Sequence, residues 1–155
     1  MPSLRHEHLV RINDASNPAV AWLTREQLWK GLLHTIRAPQ ALDNSIDAAD
    51  VSEQSCAMLR REIRRGVVST LDEVEVIAGQ TLVIRADPAS QFQGSTLTIR
   101  IEEPAPEVLF VRFIYELHGL ETERTEQEDQ ARRRAYEASD IERVREARRH
   151  AALLH

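Results

Sequence analysis

The chain has 155 residues, 42% of them apolar, and its 20 basic and 25 acidic residues give a formal charge of −5. That size supports one core that buries about 70% of the unfolded surface, and the acidic balance argues against a general binder of nucleic acid or anionic membranes. The lone Cys56 has no internal disulfide partner, and residues 1–10 carry Arg5 and Glu7 without an apolar run of signal-peptide length. No stretch approaches the roughly 18 apolar residues of a membrane span, so a single domain over residues 1–155 in a reducing cytoplasm, without integral membrane association, is the expectation.

In chain order, Leu4, His6, His8, Val10 and Ile12 alternate with Arg5, Glu7, Leu9 and Arg11, the period of a strand with one buried face. A turn cluster follows at residues 13–18, and Thr24 with Gln27 then forms the capping-box pattern that opens a helix, with Leu23 stapling onto Leu28. Leu28, Trp29, Leu32, Leu33 and Ile36 make its inner stripe, and Pro39 requires it to end nearby, after about 14 residues. Over residues 45–117 the period is mostly two, broken at Gly66, Gly79, Asp87-Pro88, Gly94 and Pro104 to Pro106, which predicts a six-stranded meander. Gly79 supplies the positive φ of one hairpin turn, and the central strands carry Leu97, Ile99 and Ile101 opposite Leu109, Val111, Phe113, Tyr115 and Leu117. Residues 121–130 contain no apolar side chain and read as a lead-in or as solvated first turns. From Ala131, the spacing of Ala131, Ala135, Ala138, Ile141, Val144 and Ala151 predicts a helix of roughly 25 to 30 residues with a small inner face. One long helix behind an antiparallel sheet predicts an α+β architecture in which a curved sheet wraps a closing helix around a ligand cavity, with Ala135 and Ala138 leaving room beneath the helix.

The residues just named carry a family resemblance. His8 to Asp14, Asn17-Pro18, Leu23 to Trp29, Ile101 to Pro104, Leu109 to Phe113, Ala135 to Glu137, Asp140-Ile141 and Val144-Arg145 resemble the AtaL-like family, part of the helix-grip (SRPBCC) superfamily of START domains, polyketide cyclases and the birch pollen allergen. The resemblance covers nearly the whole chain. It implies a helix-grip fold, with seven strands gripping a C-terminal helix over a cavity, and it implies no activity. After Pro39 the family continues with an aromatic and a glycine where this chain has Gln40 to Asn44, so the cavity entrance is expected to differ there.

Polar residues aimed inward are the site candidates. Arg61 lies between Leu59 and Ile63 on an inner strand face, and Asp72 stands on the following strand as its candidate partner. The pair reads either as a structural ion pair of the cavity wall or as a ligand anchor, because a buried unpaired guanidinium costs several kcal/mol. His6 and His8 share the apolar face of the first strand at a spacing that could hold a metal, but no third ligand completes a motif, so no metal and no cofactor is assigned. The same histidines could serve as an acid or base, or form a half-buried pair. Tyr115, Phe113 and Ala138 complete the cavity candidates, and Cys56, placed in a strand, reads as an inert small hydrophobe. Arg134, Arg145 and Arg148 read as rim residues with snorkelling stems, and Trp22 and Trp29 as packing or a lid edge.

No Gly-x-Ser-x-Gly, Walker, Rossmann, Cys-x-x-Cys or His-Glu-x-x-His pattern occurs. Three readings remain: a module that binds or carries a small, largely apolar or amphipathic molecule; a cyclase, dehydratase or hydrolase in which His6 or His8 with Asp72 moves protons; and an interaction domain without a ligand. Binding is the leading expectation, with a homodimer left open.

Overall fold

A computed structural model describes residues 3–86, 94–118 and 125–153. Strand β1 (Ser3–Arg11) leads through a turn to helix α1 (Arg25–Arg37) and a short 3-10 turn (Pro39–Ala41). A meander follows: β2 (Ala48–Ser55), β3 (Met58–Arg65), β4 (Val68–Ile77), β5 (Thr81–Ala86), β6 (Gly94–Ala105) and β7 (Val108–His118), before the closing helix α2 (Glu126–Leu153). The seven strands form one antiparallel sheet in the order β1-β7-β6-β5-β4-β3-β2, with β1 completing the far edge beside β7. The break expected at Asp87-Pro88 and the start of the charged lead-in, through residue 124, lie outside the described residues.

Local chemistry explains the boundaries. Thr24 Oγ1 accepts the Gln27 backbone amide at 3.1 Å and the Gln27 side chain accepts the Thr24 amide at 2.9 Å, so the expected capping box starts α1. Asn13, buried, holds the approach to that helix: its amide oxygen accepts from Leu23 N, and its amide nitrogen donates to the carbonyls of Leu23 and Glu107, each at 2.9 Å. Gly79 takes φ 72° in the β4–β5 turn, as the hairpin reading requires. Helix α2 begins with Thr125, whose hydroxyl accepts the Glu128 amide at 3.0 Å, so its charged first turns are solvated helix.

The core lies between the sheet and the two helices. Ile12, Leu28, Leu32, Ile36, Val74, Leu82, Ile99, Leu109, Val111 and Phe113 are almost fully buried there, joined by Val144, Ala147 and Ala151 of α2. Gly31 allows the closest approach, since a Cβ there would lie 2.5 Å from the Ala147 carbonyl oxygen.

Two local expectations are corrected. Cys56 sits exposed in the β2–β3 turn and not within a strand. The inner face of α2 runs through Asp140, Val144, Ala147 and Ala151, while Ala131, Ala135, Ala138 and Ile141 are exposed. Ala138 is two residues from Asp140, about 200° around the helix. Alanines carry too little apolar surface to orient a helix, whereas Asp140 meets two polar partners on the sheet. Of the small residues that do face inward, Ala147 and Ala151, the first meets Gly31 and brings α2 close to α1.

Candidate functional site

A cleft of about 410 Å³ opens between α2, the segment after α1 and the sheet. Pro39, Leu42 and Ile46 form one wall, Ile63 of β3 and Ala138 of α2 contribute further apolar surface, and Arg61, Arg65 and Arg143 bring three guanidiniums to it beside the carboxylates of Asp43 and Glu142. It coincides with the segment at which the sequence departs from the family pattern. A second trough of similar volume lies at the β2–β4 end of the sheet, where Asp50, Ser52, Arg60, Glu62 and Glu73 contribute mostly charge. Arg60 there pairs with Glu73 at 3.0 Å. Val51 and Leu71 are its apolar residues, both on strands of the sheet, whereas the first cleft draws Pro39, Leu42, Ile46, Ile63 and Ala138 from three separate elements.

Arg61 and Asp72 pair as expected. The cross-strand register sets them directly opposite each other, Arg61 Nε donates to Asp72 Oδ1 at 2.8 Å and Nη2 to Oδ2 at 2.7 Å, and Nη1 donates to the Ile36 carbonyl at 3.0 Å. All three arms of this buried guanidinium are used, so the pair builds the cleft wall and fastens the end of α1 to the sheet.

Arg143, which sequence reasoning passed over, is a further cation of the cleft. Its Nη1 donates to Thr35 Oγ1 at 2.7 Å, and the Thr35 hydroxyl donates onward to the Leu32 carbonyl at 2.6 Å. Among the described residues no carboxylate comes within ion-pair distance of Arg143. Burial lowers its pKa to about 10, opposed by the Tyr115, Asp140 and Asp72 side and reinforced by Arg61; at neutral pH it remains charged. The signal available in the sequence was its position three residues after Asp140, on the inner side of α2.

A separate polar network lies beneath α2. Asp140 is fully buried; Tyr115 donates its hydroxyl to Asp140 Oδ1 at 2.5 Å, and His8 Nδ1 lies 2.9 Å from Asp140 Oδ2. Burial pushes the Asp140 carboxyl above its ordinary range, while the Tyr115 and His8 hydrogen bonds and the Arg143 charge oppose that rise. Burial and the neighbouring Asp140 carboxylate push the Tyr115 hydroxyl strongly upward, keeping it protonated and donating. Tyr136 of α2 stacks on Tyr115 at 3.9 Å between ring centres, and His6 lies beside both rings. His6 Nε2, buried, is 3.4 Å from Glu137 Oε2 without completing a hydrogen bond.

The sequence candidates therefore divide. Arg61 and Ala138 line the cleft beside α2, and Asp72 braces Arg61, both of that pair also bordering the outer trough. His6, His8, Tyr115 and Phe113 line neither; Phe113 is core, and the other three belong to the network around Asp140. The expected proton-moving pair of a histidine with Asp72 is not formed, because Asp72 is committed to Arg61 and His8 to Asp140. Among the described residues no cluster of histidine, cysteine and carboxylate side chains is arranged to hold a metal. Of the rim arginines, Arg148 donates to the Ala21 carbonyl at 2.7 Å and to the Ile12 carbonyl, and Arg145 pairs with Glu142. Trp22 is half exposed and Trp29 packs against the core.

Residues 10–152 match the family described as Acetylaranotin biosynthesis cluster protein L, AtaL. The chain belongs to the AtaL family. No curated protein matches it. Among solved structures it resembles the di-domain aromatase/cyclase StfQ of the steffimycin biosynthetic pathway, with a TM-score of 0.70 and 12% identity over 94% of this chain and 50% of that one. The Zhui aromatase/cyclase from Streptomyces sp. R1128 gives 0.65 and 10% over 97% and 94%, and Ara h 8.0201 gives 0.66 and 9% over 94% and 98%. The chain spans half the length of the di-domain enzymes. At these identities the likeness establishes the fold, a helix-grip architecture, which agrees with the AtaL assignment. Among the described residues no helix is long and apolar enough to cross a membrane.

Proposed function

We propose that this AtaL-family domain binds or carries a small, largely apolar molecule in the cleft between α2, the segment after α1 and β3. The observation that carries this reading is the cleft itself: about 410 Å³, with apolar side chains from three separate elements and a rigid ion pair in its wall. A space of that size lies in the range of small-molecule sites, and it sets five apolar residues beside charged groups that can orient a ligand. The structural neighbours named as aromatase/cyclases and as Ara h 8.0201 support a ligand cavity on this fold. A catalytic reading has one observation in its favour, the Tyr115–Asp140–His8 network, in which the ionised carboxylate would fix the Nδ1-protonated His8 and leave Nε2 free to accept a proton. That network borders neither cleft, so binding stands first.

The test uses the neutral fluorescent probe N-phenyl-1-naphthylamine. The native protein should bind it saturably, and Ala138→Trp, which fills the cleft from an exposed helix position, should weaken binding about tenfold or more while leaving thermal stability nearly unchanged. Absence of saturable binding, or binding untouched by the tryptophan, would exclude the cleft as the site.

A further inference from the structure

The charges around the cleft do not balance locally. Arg65 pairs with Asp43 at 3.1 Å, Arg61 with Asp72 at 2.7 Å, and Glu142 with Arg145. Arg143 alone among these cleft charges meets a neutral group, the Thr35 hydroxyl. Glu142, its neighbour on the helix, is taken by Arg145, and Asp140, three residues before it, has its two oxygens engaged by Tyr115 and His8. A guanidinium has five N–H donors in a planar fork, and the described contacts of Arg143 use one of its nitrogens. Thr35 is itself fixed by its bond to the Leu32 carbonyl, so the guanidinium is held in place before any ligand arrives. The chain as a whole is acidic, with a formal charge of −5, so no general positive field accounts for this cation.

We infer that the cleft is a receptor for organic anions, in which Arg143 takes the acidic group of the ligand (a carboxylate, or an ionised phenol or enol) and the apolar walls take its body. The inference rests on the binding reading above and names the ligand class of that same site. Arg61 serves a different role: with its three arms satisfied, it lends a fixed wall and leaves the acid to Arg143. A planar oxyanion suits the free edge of a guanidinium, and the half-buried setting strengthens the charged hydrogen bonds relative to water. The apolar body would lie against Leu42, Ile46, Ile63 and Ala138.

Two probes of one framework separate this inference from the reading beneath it: N-phenyl-1-naphthylamine, which is neutral, and 1-anilinonaphthalene-8-sulfonate, which adds a permanent anion. Arg143→Gln should weaken the sulfonate roughly ten- to a hundredfold and change the neutral probe by less than about twofold, while Arg143→Lys should restore part of the loss. Ala138→Trp should weaken both, which places both probes in the cleft. If Arg143→Gln does not fold, Arg143→Lys decides against the native protein, since loss of the planar fork should weaken the sulfonate selectively. Equal weakening of the two probes in either variant, or sulfonate binding indifferent to residue 143, would overturn the anionic assignment with the binding reading intact. Failure of the native protein to bind either probe would overturn both.

Discussion

At the scale of single residues, the Arg61–Asp72 pair shows how a buried charge is accommodated. Two guanidinium nitrogens face two carboxylate oxygens at 2.7 and 2.8 Å, and the third arm meets a helix-end carbonyl, so few lone pairs are left without a partner. Breaking such a pair from one side leaves the other charge buried and alone. Arg61→Met should therefore destabilise the fold by about 3 to 5 kcal/mol, and adding Asp72→Leu should recover much of that loss. Urea denaturation of the two single variants and the double variant measures the cycle, and additive losses would show that the two side chains act independently. The pairing was readable from sequence, because strand alternation fixes the face of Arg61 and the meander brings Asp72 opposite it. The placement of Arg143 was not, since an arginine among many on a charged helix carries no mark of what surrounds it.

At the scale of elements, the contact between α1 and α2 combines a glycine with a pair of stacked imidazoles. Gly31 lets the backbones meet at Ala147, and one turn later His34 stacks face to face on His150 with ring centres 4.0 Å apart and planes 8° from parallel. Glu146 Oε1 lies 3.6 Å from His34 Nε2 and also pairs with Arg149. Burial lowers the His34 pKa, His150 and Arg149 lower it further, and Glu146 opposes them. A base whose folded pKa lies below its unfolded value of about 6.5 contributes stability that is complete above that value and is lost as the pH falls through 6.5 toward the lowered pKa. The native protein should accordingly lose stability between pH 7 and 5, and His34→Phe, which keeps a stacking ring and removes the titration, should show a flatter profile. Thermal melts across that range measure the difference, and parallel profiles would acquit His34. Sequence periodicity placed α1 and its cap within a residue, because a capping box and five apolar positions over-determine a short helix. It misplaced the inner face of α2, because alanines and an arginine-rich surface leave the helix rotation undecided until the sheet supplies partners.

At the scale of the whole molecule, the closing helix is held by polar contacts as much as by apolar ones. Asp140 links α2 to β1 through His8 and to β7 through Tyr115, and Arg148 ties the helix to the carbonyls of Ile12 and Ala21. Asp140 is thus a pin at the middle of the grip. Asp140→Ala should leave the Tyr115 hydroxyl and the His8 ring without their acceptor and cost about 2 to 4 kcal/mol, with faster hydrogen exchange concentrated in α2 and β1. Exchange that rises uniformly over the sheet, or not at all, would deny it that role.

The sequence by itself determined the order of the elements, the antiparallel meander and the closing helix, because period two, turn residues and caps act over a few neighbouring residues. Only the tertiary structure decided which face of α2 turns inward, which carboxylate meets His8, and that Arg143 stands without an ion-pair partner, among the described residues, in a cleft of apolar and charged side chains. Those outcomes depend on groups more than a hundred residues apart in the chain, as His8 and Asp140 are, and on how two curved surfaces close over each other. Local spacing carries no record of that geometry.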